Sequence, residues 1–344
     1  MRDIKKPLSW LRRIVTSVWF KLAVAVCILW LLYYFNRIDF TILSSLADTW
    51  PWLLAAFLLT LPPFCIVSYR FKVILSSQGI EVPFRQALRW TMIGSFFDLA
   101  MPSSNGGDFV KAGYVVAHAG AGLRTRAVMA VAFDRIIGLL GLFLLATLAC
   151  LVGWNFLENL PARHVLLAMT LSASVGPLIA FRIAGSRRLY NNTKINNWLL
   201  AKAWGQRLKQ MIGAFNALRE NPKVLCTTLG LSILNHIFWC TSLLLISIAV
   251  GNAVSPLKGL IVFPLAIFGG VFGVAGGFGL GTAAFDFLLS HLLLIQNGAL
   301  IGLLFQIAGA LSRMLGLPFY LGARHGSHDV NDLTSSPVNN CDVK

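Results

Sequence analysis

Apolar runs of about 20 residues recur along this 344-residue chain, and a run of that length matches the hydrocarbon thickness of a bilayer. Eight apolar segments stand out, two of them double. Six have the length of full spans: 14–35, 49–69, 127–153, 164–181, 224–250 and 299–321. The other two are helix pairs: 87–101 with 109–122, and 257–275 with 281–295. Only 12% of the residues are charged, about half the share of an ordinary soluble domain. A soluble enzyme, a secreted scaffold and a disordered chain are all excluded. The expected fold class is an all-α polytopic membrane protein.

Lysine and arginine in short loops set the orientation of such a chain. With the N-terminus inside, the inner segments 1–13, 70–89, 111–126, 182–223 and 322–344 hold 23 basic residues, against 3 in the outer loops. Both termini are therefore expected in the cytoplasm. The same bias explains the net charge of +16, and it removes the nucleic-acid reading that such a charge would otherwise invite. The basic N-terminus precedes an apolar run too long for a signal peptide, and no A-x-A site follows it, so 14–35 reads as an uncleaved span. Five of the six cysteines lie in apolar runs without CxxC spacing, as buried thiols do.

The charge count requires 87–122 to enter and leave on the inner side. Its first arm, 89–101, is about 20 Å long at 1.5 Å per residue, too short to cross. A re-entrant helical hairpin fits. The 257–295 pair must start and finish outside. Residues 1–153 then read span, span, inner hairpin, span. Residues 164–321 read span, span, outer hairpin, span. This is an inverted repeat of the kind found in transporters, visible in hydropathy only. The whole is expected as one integral domain, 1–322, followed by a disordered tail, 323–344.

Between the fourth and fifth spans, Leu200, Trp204, Leu208, Met211, Phe215 and Leu218 share one helical face. An interfacial helix is favoured over one packed on the bundle.

Acids at membrane depth are costly and mark partners or pathways. Asp98 and Asp108 bracket the first hairpin tip, where Pro102, Asn105, Gly106 and Gly107 break the helix. A turn with free backbone NH groups can hold an anionic headgroup, with Lys111 as a further donor. The alternative is a turn in which Asp108 only caps the next helix. Asp134 and Arg135 sit one to two turns into the third span, and Arg313 lies deep in the sixth. An interhelical ion pair and a phosphate ligand are both open for these arginines. Gly269, Gly273, Gly277 and Gly281 are four apart, a packing ridge on a continuous helix. Gly276 and Gly279 favour a break instead. His236 and His291 read as hydrogen-bonded core histidines. No Walker A, HExxH or GxSxG is present, and the largest polar loop, 182–223, has about 40 residues and one acid, too little for a catalytic domain.

Arg70-Phe71-Lys72, then Pro102-Ser103-Ser104-Asn105-Gly106-Gly107-Asp108-Phe109-Val110-Lys111, then Asp134-Arg135-Ile136-Ile137-Gly138 together resemble the transmembrane, flippase-like domain of lysylphosphatidylglycerol synthases. The resemblance covers roughly 10–322. It implies a bacterial inner-membrane protein, and a substrate-binding set of Asn105, Gly106, Gly107, Asp108, Lys111, Asp134 and Arg135. To these it adds Gly277, Gly279 and Gly281 from a glycine-rich element of the second half; Arg313 joins the set as a buried cation. Where relatives often carry Glu after the glycines, this chain has Thr282, with Asp286 one turn later; substitution by Asp286 and a different coupling chemistry are both open. Synthases of this family carry a soluble aminoacyl-transferase domain, and here the sequence runs about 20 residues past the last span. The chain thus resembles the transport domain without the enzyme. The expectation is a lipid or lipid-linked-intermediate translocator, not an enzyme, with no cofactor or metal. Its partners would be a membrane lipid with an anionic or lipid-linked headgroup and a lipid-biosynthesis enzyme. The alternative is a non-transporting subunit that docks such an enzyme.

Overall fold

The computed structural model describes residues 26–28, 30–34, 46–101, 106–158, 163–184, 211, 213–218, 220–270 and 277–322. Ten α-helices are delimited among them. Most of the first expected span, the first hairpin tip at 102–105 with Asn105, and the tail 323–344 lie outside the described residues.

The second expected span is two helices, α1 (Trp50–Leu58) and α2 (Pro62–Ser77). Pro62 and Pro63 have no NH to continue the ladder of α1, so the chain breaks there and restarts. The Thr60 hydroxyl donates to the Phe57 carbonyl at 2.6 Å and satisfies an acceptor at the break. α2 runs eight residues further than expected, to Ser77, and carries Arg70 into the bundle rather than into a loop.

α3 (Phe84–Ala100) and α4 (Gly106–His118) lie antiparallel. Trp90 meets the His118 ring at 5.5 Å, and Gly107 crosses beside Gly94. That crossing demands glycine: a Cβ at Gly107 would collide with the Gly94 carbonyl. α3 has 17 residues, about 25 Å, still short of a ~30 Å hydrocarbon core.

α5 (Arg124–Val152), α6 (Arg163–Ala184) and α7 (Pro222–Ala249) follow. A second antiparallel pair is α8 (Pro256–Gly270) and α9 (Leu280–Leu292). The last helix, α10 (Gly298–Met314), continues as helix to Gly322. Among the described residues, four helical stretches are long and apolar enough to cross a membrane: Trp50–Ser77, Arg124–Val152, Pro222–Ala249 and Gly298–Gly322.

Small and hydroxyl residues set the central contacts, as is usual where lipid removes the hydrophobic drive between helices. Gly141 of α5 admits Ser232 of α7, and the Ser242 hydroxyl of α7 donates to the Ala56 carbonyl of α1 at 2.8 Å. Two apolar clusters result. One gathers Phe71, Ile74, Phe133 and Ile137 around α2 to α5; the other gathers Leu243, Phe263, Phe285 and Ile301 around α7 to α10.

The expectation of an interfacial amphipathic helix is corrected over its described part. Ala214 and Leu218 are fully buried in the first cluster, and Phe215 packs edge-on against Phe133 at 4.8 Å. Of the described residues on the face that reads as membrane-facing by periodicity, Phe215 and Leu218 pack on the bundle and Met211 stays exposed. Residues 196–210 lie outside the described residues.

Candidate functional site

Between the two apolar clusters lies a cavity of about 330 Å³ with charged side chains in its wall. Its walls come from α2, α3, α4, α5, α7, α8, α9 and α10, so both helix pairs reach it. Asp134 projects into it ten residues along α5, about 15 Å from the start of that helix.

Asp134 is the hub. Arg70 Nε donates to one of its carboxylate oxygens at 2.8 Å, and Lys111 Nζ donates to the other at 2.9 Å. Arg70 also donates through Nη1 to Ser232 Oγ at 2.7 Å, and Lys111 Nζ lies 3.5 Å from the centre of the Phe71 ring. All three charged residues are buried, at 5–6% exposure. One carboxylate thus holds two cations from two other helices, and α2, α4 and α5 are tied at one point. Gly138, one turn after Asp134, leaves room for the Arg70 guanidinium: a Cβ there would sit 3.4 Å from it.

Arg135 points the other way along the wall. Its Nη1 donates to Asp108 Oδ2 at 2.9 Å, and both side chains are about one-third exposed. Asp108 lies in the first turn of α4, and one of its oxygens accepts from Arg135. Asp98 accepts the Gly107 NH at 2.9 Å in the same turn. Arg313 enters from α10 and has no ion pair among the described residues; Asp98 and Arg135 are the charges that act on it.

The structure therefore brings Gly107, Asp108, Lys111, Asp134, Arg135 and Arg313 to one cavity. Gly106 is buried beside Met101 at the start of α4. The glycine-rich element reaches the cavity indirectly. Gly277 and Gly279 have φ of 115° and 81°, so the chain is broken there and the continuous-ridge reading falls. Gln306, a cavity residue, donates to the Gly277 carbonyl at 3.0 Å and accepts the Thr282 hydroxyl at 2.7 Å, while Gly281 lets the amide approach. Asp286 is placed elsewhere. Its Oδ1 accepts the Ala299 NH at 3.3 Å at the start of α10, and it is not among the residues that line the cavity. Thr282 and Asp286 share the α9 face that meets α10, but the antiparallel run of the two helices sets Asp286 one turn closer to the N-terminus of α10.

Gln306, Thr91 and Asn235 escaped the sequence reading, and Arg70 entered it only within the family motif, not as a site residue. Arg70 looks like a loop charge. The others are neutral polar residues within apolar runs, and their only signal is that an amide or hydroxyl at such depth needs a partner. His236 makes the expected hydrogen bond, from Nε2 to the Gly138 carbonyl at 2.9 Å, and also lines the cavity. His291 bonds the Phe287 carbonyl but is exposed rather than buried.

An all-helical, multi-pass membrane protein with a charged chamber between two helix pairs is the class defined by these features. A family model of the lysylphosphatidylglycerol synthase TM region matches residues 18–315, and the chain belongs to that family. No curated protein and no solved structure matches it.

Proposed function

We propose that the chain is a translocator of a lipid or lipid-linked intermediate, and that the headgroup passes through the cavity. The observation that carries this is charge. The cavity wall holds four cations (Arg70, Lys111, Arg135 and Arg313) against three carboxylates (Asp98, Asp108 and Asp134). An excess cation in a buried chamber calls for an anion, and arginine is the side chain suited to phosphate. A docking subunit would have no use for such a chamber; its interior would be apolar and filled. The role contains no chemical step, and a lipid-biosynthesis enzyme would act before or after it.

The architecture supporting this reading is six spans and two re-entrant hairpins, α3–α4 and α8–α9, in an inverted repeat. Helix packing agrees with it: α5 lies against α8, α10 lies against α3, and α2 and α7 are neighbours. Moving Arg70 and Lys111 from the inner loops into the bundle still leaves 21 inner basic residues against 3 outer ones. Both termini then lie in the bacterial cytoplasm. In a chain whose other cysteines are replaced, Cys341 should react with a membrane-impermeant thiol reagent only after the cells are opened. Labelling in intact cells would reverse the topology.

The role of Arg135 is tested by neutralising it with its partner, as Asp108→Asn with Arg135→Gln. The pair is partly exposed, so the double variant should fold, with a stability change within about 1 kcal/mol. Transport of a fluorescent anionic phospholipid in proteoliposomes should fall by about tenfold or more, the loss of one charge-assisted phosphate contact. Full transport by a well-folded double variant would return Arg135 to a purely structural role.

A further inference from the structure

Among the described residues, three polar atoms at the cavity wall have no hydrogen-bond partner: Thr91 Oγ1, Asn235 Oδ1 and His236 Nδ1. Thr91 and Asn235 are 5% and 6% exposed, so bulk solvent does not satisfy them. The three come from α3 and α7, helices that contribute no carboxylate to the wall except Asp98. Their chemistry is specific. His236 Nε2 faces a carbonyl and must carry the proton, which leaves Nδ1 as a bare acceptor. Asn235 Oδ1 is also an acceptor, and the Thr91 hydroxyl can play either part. This side of the cavity therefore asks its ligand for hydrogen-bond donors.

The donors are not ammonium groups. Arg70 bonds Ser232, one turn before His236 on α7, and its guanidinium lies on the same Gly138 whose carbonyl His236 binds. A second cation placed there would be repelled. The carboxylates that would otherwise receive it already face cations: Asp134 bonds Arg70 and Lys111, Asp108 bonds Arg135, and Asp98, which accepts the Gly107 NH, faces Arg313. Neutral O–H groups satisfy the acceptors without adding charge, and a single phosphodiester balances the one excess cation of the wall.

Resting on the headgroup reading above, we propose that the cavity selects a net-anionic phosphodiester whose headgroup carries free hydroxyls, and that it rejects the same headgroup once an amino acid is attached. Arg135 and Arg313 take the phosphodiester, and Thr91, Asn235 and His236 take the hydroxyls. On this assignment the chain differs in substrate from the lysylated lipid in its family's name.

Binding to the detergent-solubilised full chain, read by native mass spectrometry, separates the alternatives. The probes are dihexanoyl phosphatidylglycerol, its lysyl ester, dihexanoyl phosphatidylmethanol and soluble glycerophosphoglycerol. Phosphatidylmethanol keeps the phosphodiester and removes the hydroxyls. Phosphatidylglycerol should bind about tenfold more tightly than either of the other two lipids, a ratio that two hydrogen bonds supply. Asn235→Leu should lower phosphatidylglycerol towards the phosphatidylmethanol level and leave phosphatidylmethanol unchanged. Thr91→Val provides the same comparison if Asn235→Leu unfolds. Lysyl ester binding as tightly as phosphatidylglycerol overturns the rejection of ammonium. Equal binding of phosphatidylmethanol overturns the hydroxyl readout, with the phosphate site left standing. Glycerophosphoglycerol binding as tightly as the lipid makes the ligand a water-soluble phosphodiester and overturns the lipid assignment. If none of the four binds, the headgroup reading of the cavity falls with the selectivity built on it.

Discussion

Asp134→Asn should be the most damaging single charge change in the protein, at about 3–5 kcal/mol, because it strands two buried cations at once. Arg70 and Lys111 both bond this carboxylate, and both are only 5% exposed. Asp108→Asn removes a carboxylate of the same cavity and should cost no more than about 1 kcal/mol, since its pair with Arg135 is partly solvated. Thermal unfolding in one detergent compares the two directly. Adding Arg70→Met and Lys111→Met to Asp134→Asn should recover most of the lost stability, because the uncompensated charge goes with them. Equal, small shifts for Asp134→Asn and Asp108→Asn would mean that the hub is not buried.

Gly107→Ala should have the second largest effect. The new Cβ meets the backbone carbonyl of Gly94, and a backbone atom cannot turn aside as a side chain can. The two arms of the α3–α4 pair must separate, at a cost of about 1–3 kcal/mol, typical of overpacking and here at the upper end. Separation also moves Asp98, Asp108 and Lys111 away from α5, so transport should be lost as well. Gly113→Ala is the control on the same helix: nothing lies within 4 Å of its Cβ, and alanine favours helix by about 1 kcal/mol. A Gly107→Ala variant as stable as Gly113→Ala would disprove the close crossing.

Much of this fold is legible in the sequence because its strongest signals are local. An apolar run announces its own helix, and Pro62-Pro63 and the glycines at 277–281 announce their own breaks. The cavity is less legible. Asp134 and Arg135 stand out as charges inside an apolar run, but the partner that fixes Asp134 is Arg70, 64 residues earlier. Arg70 sits where an apolar run gives way to basic residues, so it counts as a loop charge until α2 is seen to continue past it. Lys111 is picked out for its spacing from Asp108, yet its bond is to Asp134. Asp286 is picked out for its spacing from the glycine element, and its carboxylate lies against the start of α10. Asn235, Thr91 and Gln306 are invisible to a search for charge, because a neutral amide or hydroxyl acquires meaning only when the surrounding helices remove its water.

The wide separation of Arg70 and Asp134 also constrains how the chain is made. α2 leaves the ribosome 64 residues before its counter-charge, a delay of roughly 3–13 s at ordinary elongation rates. An arginine at the centre of a lone helix in lipid costs about 2.5–3.5 kcal/mol, and Lys111 arrives before Asp134 as well. Helix-by-helix release into the bilayer would expose both cations with no acid to meet them. α2 to α5 are better retained beside the insertion machinery and released together, so assembly of the charged hub and entry into the membrane become a single cooperative event. With a photo-crosslinker placed in α2, a nascent chain arrested before residue 134 should therefore still crosslink to the insertion machinery, and one arrested after α5 should not.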